Sequence, residues 1–579
     1  MERCLRYALL AAILAIALLA ACVGGSDKTP TPSPTIGPWP DPVVQTLQGK
    51  VKGFPDESDT LVWKAIPYAR PPIGDLRWKA PQEPEPWEGI RENSEFCSPC
   101  VQYQPSVGAA AQSPLMGSED CLYLNVWRPN TNETSLPVYV WIHGGGNSIG
   151  AAVQGPWDYG NEIAHRSNVV FVSMNYRLGP MGWFTHPALR SGNALDDSGN
   201  YGNLDIIQAL KWVQRNIEAF GGNPDNVTVA GVSAGAMDIF ALMISPPAEG
   251  LFHKAILHSG RLTTMPVSLG EQSAHEILLR LLVNDGKAPD RAGAEAYAAA
   301  LPASEIAAYL RSKSPAEIYA CYERSSLGFG MISFPFFFED GAVIPSGGFK
   351  AFETGAYPGK VPLIIGSTKE EVKTFLFMHP DFLMEDPEKD RLYEVIAAYG
   401  SDLWKADGVD EVAHTLSSHP DQPPIYVYQF LWGAAEEGKE SPIPGRMGFK
   451  LGAGHGTDTV FFFGKIRVTG NPLTDFVTTP ENIAGREVLS HAVMAYVADF
   501  VHTGDPDTPA PDLPTWYPWT NEPDKPKCIL FDAEGDSARI GLATHELTEA
   551  GVWERMKAEV PEPLYSQAMG FFSQWFQIE

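Results

Sequence analysis

Two kinds of hydrophobic pattern alternate along the chain. Short, nearly unbroken apolar runs read as buried strands: PVYVWI before Gly144, NVVFVSMNY after Arg166, VTVAG before Ser233, VPLIIG from Val361 and IYVYQFLW from Ile425. Between and after them lie runs at helical spacing. LDIIQALKWVQRNI brings Ile206, Leu210, Val213 and Ile217 onto one face, AGAMDIFALMI follows Ser233, and SHAVMAYVADFVH follows Leu489. This alternation over roughly 350 residues predicts an α/β fold, a large, mostly parallel sheet with helices on both faces. Ligands of such sheets bind at the carboxyl ends of the strands. No internal repeat and no linker follows Pro40, so residues 41–579 read as one body.

The N-terminus departs from that pattern. Arg3 and Arg6 precede an apolar stretch, Leu9 to Leu19, too short for a comfortable membrane span. It ends in Leu19-Ala20-Ala21-Cys22, which resembles the bacterial lipobox, where the cysteine takes a diacylglycerol and becomes the first residue of the mature chain. Residues 1–21 therefore read as a lipoprotein signal peptide, Cys22 as the lipidation site, and the Pro/Thr-rich residues 22–40 as a tether. The expectation is an exported protein, lipid-anchored in a bacterial cell envelope. Val23, where an aspartate would favour inner-membrane retention, points to the outer membrane.

Charge narrows the partners. Against 42 Lys and Arg stand 70 Asp and Glu, a net charge of −28. That argues against nucleic acid and anionic membrane surfaces, and leaves the lipid as the only membrane contact. Oligomeric state is not legible. Beyond Cys4 and Cys22 the cysteines are Cys97, Cys100, Cys121, Cys321 and Cys528, an odd set in which an oxidising compartment leaves at least one thiol unpaired. Zinc-ligand spacing is absent, and the CSPC run has no thioredoxin-like βαβ pattern around it, so no metal or other cofactor is expected.

Candidate chemistry centres on Ser233. In a chain with 54 glycines, G-x-S-x-G arises by chance about 0.3 times, and a second copy, Gly146-Asn147-Ser148-Ile149-Gly150, is present. Context separates them. Ser233 follows a strand pattern and opens a helical one, the setting of a nucleophile elbow, whereas no helical period follows Ser148. The glycines of the second copy have another use: His143-Gly144-Gly145-Gly146 after PVYVWI matches a loop that offers backbone N–H groups to an oxyanion. A base must follow the serine in the chain. His491 and His502 fall in or near a helical pattern, while His455 lies in the glycine-flanked loop GAGHGTDTVFFFG. For the acid, Glu370 and Glu371 both stand just past VPLIIG, and the pattern alone does not choose between them.

Together these segments resemble the type-B carboxylesterase family, the cholinesterase and bacterial p-nitrobenzyl-esterase group of α/β-hydrolases. The resemblance runs from about Gln48 to Trp519 and rests on IPYARPPIGDLRW, SEDCLYLNVWRP, IHGGG, NYRLGPMGW, the long run GNYGNLDIIQALKWVQRNIEAFGGNPDNVTVAGVSAGAM, KAILHSG and DFVHTGDPD. It implies an α/β-hydrolase fold, with Ser233 as nucleophile, His455 as base and Glu371 as acid. It further implies an oxyanion hole of the Gly145, Gly146 and Ala234 N–H groups, a disulfide of Cys121 with Cys100 (Cys97 being the other candidate), and a structural Arg77–Glu119 ion pair. The loop GSTKEEV is the least conforming segment, with Ser367, Thr368 and Val372 in place of the usual residues.

The implied reaction is hydrolysis of a small carboxylic ester through an acyl-enzyme. Departures bear on substrate. The family usually has glutamate where Val232 stands, and AAAQSPLMG replaces the stretch that carries a tryptophan in cholinesterases, so a choline cation has no cage. The run SFPFFFEDG falls where the family builds its acyl-side wall, which fits a neutral, hydrophobic ester. Two alternatives remain: a catalytically silent, cholinesterase-like binding module, and a hydrolase of amide, lactone or thioester bonds.

Overall fold

The computed structural model of the chain describes residues 37–575 except 106–112, 156–158, 326–328, 378, 437, 468–476, 508–509 and 511. The expected signal peptide, Cys22, most of the expected tether and part of AAAQSPLMG lie outside the described residues. The end of the expected tether is docked: Gly37 N–H donates to Asn132 at 3.1 Å, and the Arg128 guanidinium stacks 3.7 Å from the Trp39 ring centroid.

One sheet of eleven strands organises the molecule. In chain order the strands are β1 (Phe54–Asp56), β2 (Thr60–Pro67), β3 (Tyr123–Pro129), β4 (Leu136–Ile142), β5 (Val170–Met174), β6 (Gly222–Val232), β7 (Lys254–His258), β8 (Leu363–Thr368), β9 (Ile425–Phe430), β10 (Cys528–Glu534) and β11 (Ser537–Ala543). Their spatial order is β11-β10-β9-β8-β7-β6-β4-β5-β3-β2-β1. From β5 to β10 every neighbouring pair is parallel, and the antiparallel pairs fall at the two ends.

The apolar runs are continuous because both faces of the sheet are covered. In β4, Val138, Val140 and Ile142 join one core cluster and Tyr139 and Trp141 the other. Helices α1 (Tyr201–Asn216) and α2 (Ala234–Ile244) pack on the first face, and α4 (Ile483–Thr503) on the second. A third, smaller core gathers around α3 (Pro387–Lys405), where Tyr393 and Ile396 meet Val372, Leu376 and residues of the C-terminal helices.

Hydrophobic pattern alone passes over β1, β2, β3, β7, β10 and β11. β3 carries Asn125 and Arg128 inside the sheet. Asn125 Oδ1 accepts from the Ala65 N–H at 2.9 Å, at the irregularity in β2 between Trp63 and Ile66, and Arg128 donates to the carbonyls of Phe220, Pro129, Thr131 and Glu133. Buried polar groups are tolerated here because each finds a backbone partner. Among the described residues no helix is long and apolar enough to cross a membrane, and no cluster of His, Cys, Asp and Glu is placed to hold a metal ion.

Candidate active site

The chain's path through the sheet selects one spot. After β5 it returns across β4 to lay down β6, and then builds outward to β10. β4 and β6 are neighbours at the point where the strand order reverses, and such sheets bind their ligands at the carboxyl ends of the strands there. His143–Gly146 leave the end of β4 and Ser233 the end of β6.

Ser233 sits between the last residue of β6 and the first of α2, with φ 57° and ψ −122°. A side chain at this backbone conformation is strained, and such strain concentrates at functional turns. Its N–H is held by the His258 carbonyl at 2.8 Å. Glycine is obligatory around it. A Cβ on Gly235 would lie 2.1 Å from the Ile142 carbonyl oxygen, and one on Gly144 would lie 2.6 Å from the Val232 carbonyl oxygen and 3.1 Å from Ser233 Cβ. The glycine loop therefore lies directly against the elbow.

In that loop Gly145 and Gly146 have φ of 112° and 61°. Among the described residues neither N–H donates to a protein acceptor, and the first N–H groups of α2 have none within the helix. The second G-x-S-x-G serine is spoken for: Ser148 is buried and its hydroxyl accepts from the Ile332 N–H at 2.9 Å.

The two glutamates past β8 separate by their partners. Glu371 is fully buried; its Oε1 accepts from the Thr368 N–H at 2.6 Å and the Ser259 hydroxyl at 2.5 Å, and its Oε2 lies 2.5 Å from His455 Nδ1. The His455 N–H also donates to the Glu371 carbonyl at 3.2 Å. Glu370 instead pairs with Lys373 at 2.7 Å and accepts from the Ala453 N–H at 3.0 Å. It is a clamp on the loop that carries the histidine.

Phe375 and Trp404 flank the His455 ring at centroid distances of 5.0 and 5.1 Å, and the Trp404 indole N–H donates to the Ser259 carbonyl. His455 Nε2 is buried and has no hydrogen-bond partner among the described residues, so the link to Ser233 Oγ is open in this structure. Serine–base hydrogen bonds in unliganded enzymes are often open and close on substrate binding. Two further titratable groups stand close by. Burial pushes the His143 imidazole down to about 4, against the opposing bond to the Gly144 carbonyl. At Asp458, burial works to raise the carboxyl, but bonds from His258 and Tyr428 win and hold it below the ordinary carboxylate range.

His491 and His502 are exposed on α4, away from this cluster. Cys100 and Cys121 form a disulfide, leaving Cys97, Cys321 and Cys528 as thiols, and Arg77 pairs with Glu119 at 2.5 Å. The run SFPFFFEDG divides: Phe337 and Phe338 are core, while Phe334 and Phe336 are half-buried beside Trp183. Ser259, Phe375 and Trp404 escape the sequence reading. Only Ser259 left a signal, inside KAILHSG.

A family model described as the carboxylesterase family matches residues 40–399 and 381–548. The para-nitrobenzyl esterase of Bacillus subtilis is 34% identical over 515 residues, spanning 85% of this chain and 95% of that protein. The fumonisin B1 esterase of Sphingopyxis macrogoltabida is 36% identical over 338 residues, 58% of this chain and 57% of that protein. A solved PNB esterase structure superposes with a TM-score of 0.65 at 30% identity, covering 86% of this chain and 97% of that one.

Proposed function

The chain belongs to the carboxylesterase family, and on that premise we propose that it is a serine hydrolase of neutral, hydrophobic carboxylic esters. The observation that carries the reading is the Glu371–His455 hydrogen bond formed beside a strained serine elbow and a glycine loop with unused N–H groups. In this mechanism Ser233 Oγ attacks the ester carbonyl while His455 Nε2 takes its proton. Glu371 fixes the Nδ1–H tautomer and stabilises the imidazolium. Negative charge on the carbonyl oxygen is met by the N–H groups of Gly145, Gly146 and Ala234. The alcohol leaves with the proton from His455, and water, activated by the same imidazole, releases the acid from the acyl-enzyme.

Val232 leaves no anionic group beside the nucleophile, and Phe334 and Phe336 offer an apolar wall, so a neutral substrate fits better than a choline ester. The test uses protein lacking residues 1–36 and short p-nitrophenyl esters. Hydrolysis, with fluorophosphonate labelling at Ser233, is the expected result; folded protein that shows neither refutes the proposal. Export and lipid anchoring through Cys22 belong to the same reading. The parent should incorporate labelled palmitate in a bacterial host and Cys22→Ser should not, since Cys22 is the residue read as taking the lipid.

A further inference from the structure

Asp238 lies on α2, within two turns of Ser233, and is fully buried. Its Oδ1 accepts long hydrogen bonds from the side-chain amides of Asn147 at 3.4 Å and Asn203 at 3.3 Å, while Oδ2 has no partner among the described residues. Among the described residues no cation acts on it. The groups that act on it are the Tyr176 hydroxyl and the two amides. The ion pair of the flanking elements, Arg177 with Asp205, is bidentate within itself. A carboxylate so placed would be an unpaired buried charge, and a group in that position keeps its proton instead. Burial indeed raises the Asp238 carboxyl well above the ordinary range.

Its partners indicate what the acid does. Asn147 belongs to the glycine loop, with φ 53°, and its Oδ1 lies 3.2 Å from the Tyr176 hydroxyl, which also donates to the His143 carbonyl at 2.8 Å. Asn203 accepts from the Trp183 indole N–H at 3.0 Å, and the Trp183 ring packs against Phe334, Phe336 and Phe337. One side chain on the helix behind the nucleophile thus joins the loop of the oxyanion hole to the aromatic wall.

We propose that Asp238 is an un-ionised positioning acid that pins the glycine loop, through Asn147, and the aromatic wall, through Asn203 and Trp183, to the helix carrying Ser233. The proposal rests on the serine-esterase reading above. Asp238 touches no substrate; it acts on the placement of groups that do.

The conservative variant Asp238→Asn keeps an acceptor for both amides and a donor toward Tyr176. It should retain at least about a third of kcat, whereas Asp238→Leu should lose kcat about 10- to 100-fold at nearly unchanged KM, the scale expected of slight misplacement. p-Nitrophenyl acetate is the substrate. A folded Asp238→Leu with parental kcat, or an Asp238→Asn as damaged as Asp238→Leu, overturns the proposal. If Asp238→Leu does not fold, Asn147→Gly removes the loop half of the network at a backbone angle that glycine accepts; a fall in kcat is expected, and parental kcat overturns the proposal.

A second readout needs no activity. A carboxyl protonated in the fold but ionised in the unfolded chain loses stability as pH rises above the unfolded value of about 3.9. Asp238→Asn should therefore gain on the parent in thermal midpoint between pH 5 and pH 8; parallel curves overturn the proposal. Were the parent to hydrolyse nothing, the esterase reading would fail, and the pH comparison would still decide the state of Asp238.

Discussion

Replacing Glu371 by glutamine tests the acid and its orientation together. The carboxylate accepts three hydrogen bonds, from Thr368 N–H and Ser259 Oγ at Oε1 and from His455 Nδ1 at Oε2. An amide has one oxygen and one NH₂. The Thr368 N–H can only donate, so the amide oxygen must occupy the Oε1 position, and its NH₂ then faces His455. Imidazole Nδ1 has to accept, its proton moves to Nε2, and Nε2 is no longer a base toward Ser233. An amide at the acid position of a serine triad costs about 10⁴ in kcat, which corresponds to about 5 kcal/mol of activation free energy. KM should change little, and the thermal midpoint should stay within a few degrees because volume is conserved. Glu370→Gln is the comparison. It strands Lys373, which is almost fully buried, and should lower stability while leaving kcat within about tenfold. Stopped-flow hydrolysis of p-nitrophenyl acetate and the rate of fluorophosphonate labelling measure both variants. A Glu371→Gln protein within tenfold of the parent, or a Glu370→Gln protein that is the inactive one, would refute the assignment.

The strain at Ser233 predicts that Ser233→Gly, though inactive, is at least as stable as Ser233→Ala, since glycine relieves about 1–3 kcal/mol of backbone strain that alanine keeps; thermal melts decide, and a clearly lower glycine variant contradicts the strain. Gly145→Ala would place a Cβ 2.2 Å from the Ile149 carbonyl oxygen at φ 112°, so the loop must shift, and kcat should fall by a factor of about 10² or more in protein that still folds; an active Gly145→Ala protein would exclude this N–H from the oxyanion hole. Burial depresses His143 to about 4, below its unfolded value, so its contribution is present above about pH 6.5 and is lost as pH falls toward 4. That contribution is about 3 kcal/mol, and urea midpoints of the parent should fall more steeply over this window than those of His143→Gln.

Much of the site is readable in the linear chain because its parts are local. A strand, a small-residue turn and a helix around Ser233, and a glycine run after β4, are each encoded within a dozen residues. The acid was harder. Glu370 and Glu371 are adjacent, equally polar and equally placed after β8, and nothing in the pattern weighs one above the other. What separates them is which carboxylate meets Ser259 from the end of β7 and His455 from the loop beyond β9. Strand β3 escaped for a related reason, since Asn125 and Arg128 look like surface residues until their backbone partners arrive from distant segments.

The sequence by itself determined the α/β alternation, the elbow, the glycine loop and the histidine, because hydrophobic period and backbone permissiveness are properties of neighbouring residues. The family resemblance already pointed to Glu371; only the tertiary structure supplied its bond to His455, separated the core residues Phe337 and Phe338 from the half-buried Phe334 and Phe336, and sealed Asp238 among Asn147, Asn203 and Tyr176. Those outcomes depend on burial and on partners supplied by other elements of the fold, and desolvation is a property of the packed site rather than of the residue that occupies it.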